Sequence, residues 1–321
     1  MSAASTPRGG IDLGGTKIQA IVIDSANAVL GEARRPTPRE NGPQGVADAM
    51  AEALREAADA TGIESDALRG VGVGSPGETE AASGVVSNAK NLPDWAGSFP
   101  LGSRLQEALG TRVAVGNDVG VATRAEADLG AGRHHRSVLG VFWGTGVGGG
   151  IVLNGKDWHG RGAAGEIGHV VVKRGGARCP CGNRGCMEAY AGRSAMETEA
   201  RRRMKKGEKT DLFDLMSDHD KPRLTSGIWE RALDQGDAMT EELIERAIKA
   251  LGAGIASAIN LLDPEVVILG GGMGVRFGER FGPKIEKRIN KNLFDSDHPP
   301  AFAIAELGDL GGAIGASLLV A

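Results

Sequence analysis

The 321-residue sequence predicts an α/β protein of two similarly built halves, and three observations carry that reading. A glycine-rich turn joins two apolar, strand-like runs near the start, and the same pattern returns at Val138. Between and after these hairpins, short Val/Ile/Leu runs alternate with stretches of helical periodicity, as in layered α/β folds. The chain is also long enough for two domains with cores of their own.

The first hairpin is Gly10-Ile-Asp12-Leu-Gly14-Gly15-Thr16-Lys17 leading into Ile18–Ile23: strand, turn, strand. Gly45 to Ala60 is rich in Ala and Glu and reads as a helix. Leu68 to Gly74 is a buried strand stopped by Ser75-Pro76-Gly77. Arg112 to Val115 is another, ending at Gly116-Asn117-Asp118, and Val119 to Leu129 follows as a helix with small residues on one face. The second hairpin has its strand at Val138–Trp143, its turn at Gly144–Gly150 and its return strand at Ile151–Leu153. A charged stretch spans Ser194 to Gln235. Within it, Arg201-Arg-Arg-Met-Lys-Lys206 reads as a solvated helix face in preference to a phosphate patch. Thr240 to Leu262 is a long helix with apolar residues at 244, 248, 251, 255, 259 and 262, ended by Asp263-Pro264. Val266–Leu269 is a strand running into a turn at Gly270-Gly271-Gly272, Phe302–Ala305 is a last strand, and Gly311–Val320 is a closing helix of small residues.

A net charge of −4 and an isoelectric point of about 5.9 leave no broad basic field for nucleic acid or anionic lipid. No run of 18 apolar residues offers a transmembrane helix, and Met1 to Arg8 lacks the apolar stretch of a secretory signal. Clustered thiols without partners elsewhere fit a reducing cytoplasm.

Cys179-Pro-Cys181-Gly-Asn-Arg-Gly-Cys186 holds every cysteine of the chain within eight residues. Three thiolates and one further ligand complete a tetrahedral structural zinc site. His169, ten residues upstream of Cys179, is the expected fourth ligand, ahead of His134, His135 and His159 in loop-like surroundings farther away. Idle thiols or one disulfide are the alternative, but an odd cysteine count among glycines suits a metal knuckle better. The cluster alone names no function.

Gly144-x-Gly146-x-x-Gly149 formally matches the dinucleotide-binding fingerprint. That motif needs a helix next, to place the pyrophosphate on its N-terminus, and here strand-like Ile151-Val-Leu153 follows. No Gly-Lys-Ser/Thr phosphate loop occurs either. What remains is a site in which hairpin turns present backbone N–H groups to phosphate oxygens, with the Thr16 and Thr145 hydroxyls as further donors. Three glycine-rich strand ends, after Asp12, Trp143 and Leu269, favour one shared ligand over three ordinary turns. Asp118 ends a strand at the junction of the halves, a place that suits a base taking a hydroxyl proton. As an isolated pair, Asn117-Asp118 reads first as a helix cap.

Together these segments resemble the ROK family of sugar kinases, named for repressor, open reading frame and kinase, over nearly the whole chain. Asp12-x-Gly14-Gly15-Thr16-Lys17 matches the family's first phosphate loop and Gly144-Thr145-Gly146-x-Gly148 its second. Gly270-Gly271-Gly272 stands where the family holds the adenosine. Glu166-x-Gly168-His169 and Cys179-x-Cys181-Gly182-x-x-Gly185-Cys186-x-Glu188 match the family signature. The resemblance implies the actin-like, ribonuclease-H-like ATPase fold, two α/β domains around a deep interdomain cleft that closes on sugar. It implies ATP as donor, Asp12 orienting catalytic Mg²⁺ through water, Asp118 as the base, Asn117 as a sugar ligand, and Glu166, His169 and Glu188 as the sugar-binding set. One ring nitrogen of His169 would then bind a structural Zn²⁺ shared with Cys179, Cys181 and Cys186, leaving the other for a sugar hydroxyl. Without the resemblance, Glu188 reads as a carboxylate at a helix N-terminus. A homodimer or homotetramer is also implied.

The expected domains are 1–118, with residues 1–8 disordered, and 119–305, which carries the zinc-binding segment 166–188. The terminal helix, about 311–321, is expected to pack back on the first. The leading expectation is an ATP-dependent glucokinase making glucose 6-phosphate. Selectivity depends on the loops around Gly74 and Asn91 and on the carboxylates, so N-acetylmannosamine, N-acetylglucosamine, fructose, mannose and allose remain alternative substrates. Polyphosphate as donor is disfavoured by the acidic balance. A sugar-responsive repressor would need a helix-turn-helix module ahead of the core, and about nine residues precede the first strand.

Overall fold

The structure, a computed structural model, describes residues 6–89, 92 and 94–321. The first half runs β1 (Arg8–Leu13), β2 (Lys17–Ile23), β3 (Val29–Pro36), α1 (Gly42–Asp59), β4 (Val71–Ser75), β5 (Glu78–Glu80), β6 (Val85–Ser87), β7 (Ser98–Phe99), α2 (Leu101–Leu109), β8 (Val113–Asn117) and α3 (Asp118–Leu129). The second runs β9 (Val138–Trp143), β10 (Val147–Leu153), β11 (Lys156–Asp157), α4 (Glu188–Ala191), α5 (Arg193–Met204), α6 (Leu212–Asp218), α7 (Ser226–Asp234), α8 (Ala238–Leu262), β12 (Val266–Gly270), α9 (Gly271–Asn290), β13 (Ala301–Ile304) and α10 (Gly311–Leu318).

Two five-stranded sheets share one plan, β3-β2-β1-β4-β8 and β11-β10-β9-β12-β13. In each, the antiparallel hairpin leads on one side to a third antiparallel strand and on the other to two parallel ones. The repeated hairpin read from the sequence is therefore the start of a repeated sheet. Strands β5, β6 and β7 form a small third sheet.

Alternation along β2 sends side chains to both faces of the first sheet. Ile18, Ala20 and Val22 join the core under α1 and α2, whereas Ile21 and Ile23 meet Ala313 and Ile314 of α10 and Ala125 of α3. Two residues farther along α3, Ala127 packs with Val138, Val152, Val266 and Ile268 of the second sheet. Helix α3 thus packs against both sheets. Its Glu126, 3% exposed, accepts N–H bonds from Ala131 at 3.0 Å, Glu306 at 3.1 Å and Leu307 at 2.9 Å. That buried carboxylate is satisfied by backbone donors and ties α3 to the connection leading into α10. Across the second sheet, the apolar stripe of α8 is buried as its periodicity predicts, with Leu262 half-buried at its end.

Three sequence expectations are corrected. Arg8 opens β1, is 7% exposed and donates to the Asp24 carbonyl at 3.3 Å, so the expected disorder over 1–8 does not reach it. The second turn is shorter than expected, because β10 begins at Val147 and pairs Gly148, Gly149 and Gly150 with Phe142, Val141 and Gly140. Gly271 and Gly272 are not a turn but open the 20-residue α9, with Gly270 ending β12. The basic run at 201–206 behaves as expected. Arg201 pairs with Glu197 at 2.6 Å, Arg202 with Glu199 at 2.7 Å and Arg203 with Glu242 at 2.8 Å, so the three arginines are engaged by carboxylates and Lys205 and Lys206 are exposed past the helix end.

Candidate active site

Strands β1, β4 and β8 run parallel, and their C-terminal ends deliver Asp12, Gly74 and the Asn117-Asp118 pair to one edge of the first sheet. Such edges are where open α/β sheets hold ligands. The Asn117 Oδ1 accepts from the Val119 and Gly120 N–H groups at 3.1 and 3.0 Å, which makes Asn117 the cap of α3. Asp118 is half-buried and its Oδ1 accepts from the Val119 N–H at 2.8 Å. Burial pushes the Asp118 carboxyl up to about 7, the charges of Asp12 and Glu166 add to it, and the Val119 hydrogen bond opposes it. Burial also pushes Asp12 up to about 6, with Lys17 opposing and Asp309 adding. Asp12 and Asp118 therefore share the edge of the first sheet, with the Glu166 charge near enough to act on Asp118.

The β1–β2 turn closes through Gly14 N–H to Lys17 O at 2.9 Å. Thr37 holds it from outside, its N–H on Thr16 O at 3.2 Å and its hydroxyl on Gly14 O at 2.6 Å. Gly15 and Thr16 stay exposed, and Lys17 pairs with Asp309 at 3.2 Å. In the second half, Gly144 N–H meets Gly146 O at 2.9 Å, with Thr145 exposed at the tip. Gly272 adjoins this turn, since a Cβ on Gly144 would lie 4.0 Å from its nitrogen. At Gly271, φ is +79° and a Cβ would lie 2.6 Å from the Trp143 carbonyl oxygen, so glycine is required there. Gly74 and Gly148 answer to packing: a Cβ on either would come within 2.8 Å of a valine of α3.

The segment from Glu188 to Ser194 braces the second turn. Glu188 Oε2 accepts from Val147 N–H at 2.9 Å, so this carboxylate reaches β10 and is more than a helix-end charge. The Arg193 and Ser194 N–H groups donate to the Gly144 and Thr145 carbonyls at 3.1 and 3.0 Å. The Arg193 guanidinium donates to Thr145 Oγ1 at 2.8 Å, and Trp143 Nε1 donates to Ala191 O at 2.6 Å. The sequence reading singled out Glu188 but missed Arg193 and Asp309. Neither lies in a motif, and each acts on a segment far away in the chain.

His169 ends a short 3-10 turn, Ile167–His169, and meets the three cysteines. Its Nδ1 lies 3.7 Å from Cys179 Sγ, Cys181 and Cys186 Sγ are 3.7 Å apart, and the four ligand atoms all fall within 4.8 Å of one another. A disulfide needs about 2.05 Å, whereas the edge of a tetrahedron with Zn–S bonds of about 2.3 Å is about 3.8 Å. The donor set and spacing fit a tetrahedral metal ion, and the three cysteines are unbonded to one another. His169 Nε2 faces Glu166 Oε2 at 3.8 Å, away from the thiols. Asn91, expected to shape the sugar pocket, lies outside the described residues.

The ROK family model matches residues 8–321. A glucokinase of Thermotoga maritima is 36% identical over 283 residues, 88% of this chain and 86% of its own. The crystal structure of a ROK hexokinase from Thermus thermophilus is 34% identical with a TM-score of 0.79, covering 98% of this chain and 97% of that one. A ROK family glucokinase from Streptomyces griseus, solved with glucose and AMPPNP, is 32% identical with a TM-score of 0.82 and 98% coverage of both chains. The fold is the actin-like ATPase fold expected from the sequence.

Proposed function

The chain belongs to the ROK family, and on that premise we propose that it is a kinase moving the γ-phosphoryl group of ATP to the primary hydroxyl of glucose. One observation carries the reading: Asp118, at the ligand-facing edge of the first sheet, is held near 7 by burial, Asp12 and Glu166. A general base works best when its pKa lies near the working pH. As the sugar oxygen bonds the γ-phosphorus, its proton passes to Asp118, the bond to the β–γ bridging oxygen breaks, and ADP leaves with that oxygen.

The two hairpin turns, at 14–17 and 144–146, give N–H and threonine hydroxyl donors to the phosphates, and Gly148 lets β10 come close to them. Gly270–Gly272 receives the adenosine. Asn117, Glu166, His169 and Glu188 bind sugar hydroxyls, with Gly74 and Asn91 bordering the pocket. Asp12 holds Mg²⁺ through water, and a hydrated cation suits its cluster of mutually repelling carboxylates and supplies charge neutralisation at the phosphates. His169, Cys179, Cys181 and Cys186 hold a structural Zn²⁺, since four protein ligands leave no open position for activating water. Residues 1–118, joined by α10, and 119–305 form the two lobes that close on sugar, in a homodimer or homotetramer of a reducing, cytoplasmic compartment.

The test is a panel of sugars with ATP or polyphosphate and the purified chain. Glucose with ATP should give the highest kcat/KM. A higher value for N-acetylmannosamine or fructose would overturn the sugar assignment, and preference for polyphosphate would overturn the donor.

A further inference from the structure

Arg193 is an unusual group to find under a glycine turn. It is 7% exposed, and its two side-chain hydrogen bonds go to neutral oxygens, Thr145 Oγ1 at 2.8 Å and the Leu224 carbonyl at 2.6 Å. A guanidinium carries only donors. Thr145 Oγ1 must therefore accept from Arg193, and its own hydrogen is left to donate elsewhere. Arg193 lies on the buried side of the turn while Thr145 is exposed at the tip, so the remaining partner has to come from the open side. The backbone is arranged the same way. The Gly144 and Thr145 carbonyls are occupied by the Arg193 and Ser194 N–H groups, which turns the acceptors of this loop towards α5 and leaves donors for an anion.

We propose that Arg193 is a positioning residue that fixes the Thr145 hydroxyl as a hydrogen-bond donor to the phosphates of the bound nucleotide. The inference rests on the nucleotide reading of the Gly144–Gly146 turn. A neutral residue at 193 frees the Thr145 hydroxyl to rotate and to donate inward, to water entering the space the guanidinium leaves, so the phosphate loses an oriented donor. Lysine keeps the charge but lacks the planar fork that reaches both oxygens.

Calorimetric titration of the full chain with AMPPNP, beside steady-state kinetics and thermal melting, tests this. Arg193→Met should weaken AMPPNP binding roughly tenfold, the scale of one charge-assisted hydrogen bond, raise the KM for ATP in step, and leave the KM for glucose unchanged. Arg193→Lys should fall between wild type and Arg193→Met. Thr145→Val, close in shape but without the hydroxyl, should match the loss, and adding Arg193→Met to it should cost nothing further in affinity. Should Arg193→Met fail to fold, the cycle is run with Arg193→Lys. Multiplying losses in the double variant, or unchanged affinity with a lowered melting point, would make Arg193 a structural residue only and overturn the proposal. Unchanged affinity in Thr145→Val would overturn it as well, by removing the donor. A variant cycle that shows this coupling in AMPPNP binding, beside wild-type protein that phosphorylates no sugar, would overturn the kinase reading and leave the Arg193–Thr145 link standing.

Discussion

Asp118→Asn separates chemistry from structure at the edge of the first sheet. The exchange is nearly isosteric. The α3 cap survives it, because the capping oxygen belongs to Asn117, 3.1 and 3.0 Å from its two donors, and the side-chain carbonyl of the introduced asparagine can still accept from the Val119 N–H. Loss of a general base costs about 10²–10⁴-fold in turnover, and loss of an oriented acceptor for the sugar hydroxyl adds to that. Stability should move the other way. Burial raises the Asp118 carboxyl above its unfolded value, so the folded state holds this proton to higher pH than the unfolded chain does. The resulting stability is complete below about pH 4 and declines as pH rises through about 7. A carboxyl moved from 3.8 to about 7 corresponds to at most about 4 kcal/mol lost at pH 8. Water reaches the half-buried group, which reduces the figure to roughly 2 kcal/mol. Asparagine carries no charge and escapes the loss. Asp118→Asn should therefore melt higher than wild type at pH 8, with the gain shrinking towards pH 4, while its kcat in a coupled ADP assay falls by at least about two orders of magnitude. Near-wild-type kcat in the folded variant would remove Asp118 from the chemistry and make Glu166 the next base to test. Absence of any pH-dependent gain would refute the electrostatic argument.

The same carboxyl sets a pH profile. In the free enzyme, kcat/KM for the sugar should fall as pH drops through about 7, with a one-proton slope as Asp118 becomes protonated that steepens below about 6 as Asp12 follows; a flat profile from pH 8 to pH 5 would contradict it. Elemental analysis of protein purified without metal affinity should find one zinc per chain. Cys181→Ser should lose metal and sugar affinity together, because His169 and Glu188 flank the same knuckle. Sub-stoichiometric zinc with full activity after chelation would rule out the structural metal.

What the sequence made legible follows from which interactions are local. The β1–β2 and β9–β10 hairpins were readable because a turn needs glycine and its flanking strands alternate or run apolar. Helix α8 was readable from its buried stripe. Helix α9 went unread because Gly271, Gly272, Gly274, Gly278, Gly282 and Pro283 mimic a loop, yet Met273, Phe277, Phe281, Ile285 and Ile289 recur every four residues and pack on the core. That period was the stronger signal, since burial of one face outweighs the propensity cost of several glycines. Strand β3 escaped because it lies at a sheet edge, where only Gly31 and Ala33 are buried and Val29, Leu30, Glu32 and Arg34 are exposed, so no apolar alternation marks it. At the candidate site, the motif residues stood out because close backbone approach favours glycine and clustered thiols suit a metal ion. Arg193 reaches Thr145 across 48 positions and Lys17 reaches Asp309 from the other end of the chain, pairings that only the folded chain brings together.

The two sheets share an order but present different groups at their edges. The acidic groups, Asp12 and Asp118, sit on the edge of the first sheet, with Glu166 near enough to raise Asp118. The second-sheet turn has its carbonyls occupied, a buried arginine behind it and the Glu188 carboxylate held beside it by the Val147 N–H, so donors are left at its tip. On the proposed reading, an anion bridging the two would meet donors at the second turn and carboxylates at the first sheet, where a cation would have to intervene. Asp118 is the first residue of α3, and α3 packs on both sheets. Asp118, the proposed base, is thereby tied to both halves at once, and its distance to a phosphate held by the second turn would depend on the packing of one helix. Substitutions on the buried face of α3, at Val121 or Ala125, should consequently lower kcat more than the KM of either substrate, although neither side chain belongs to the ligand-binding set.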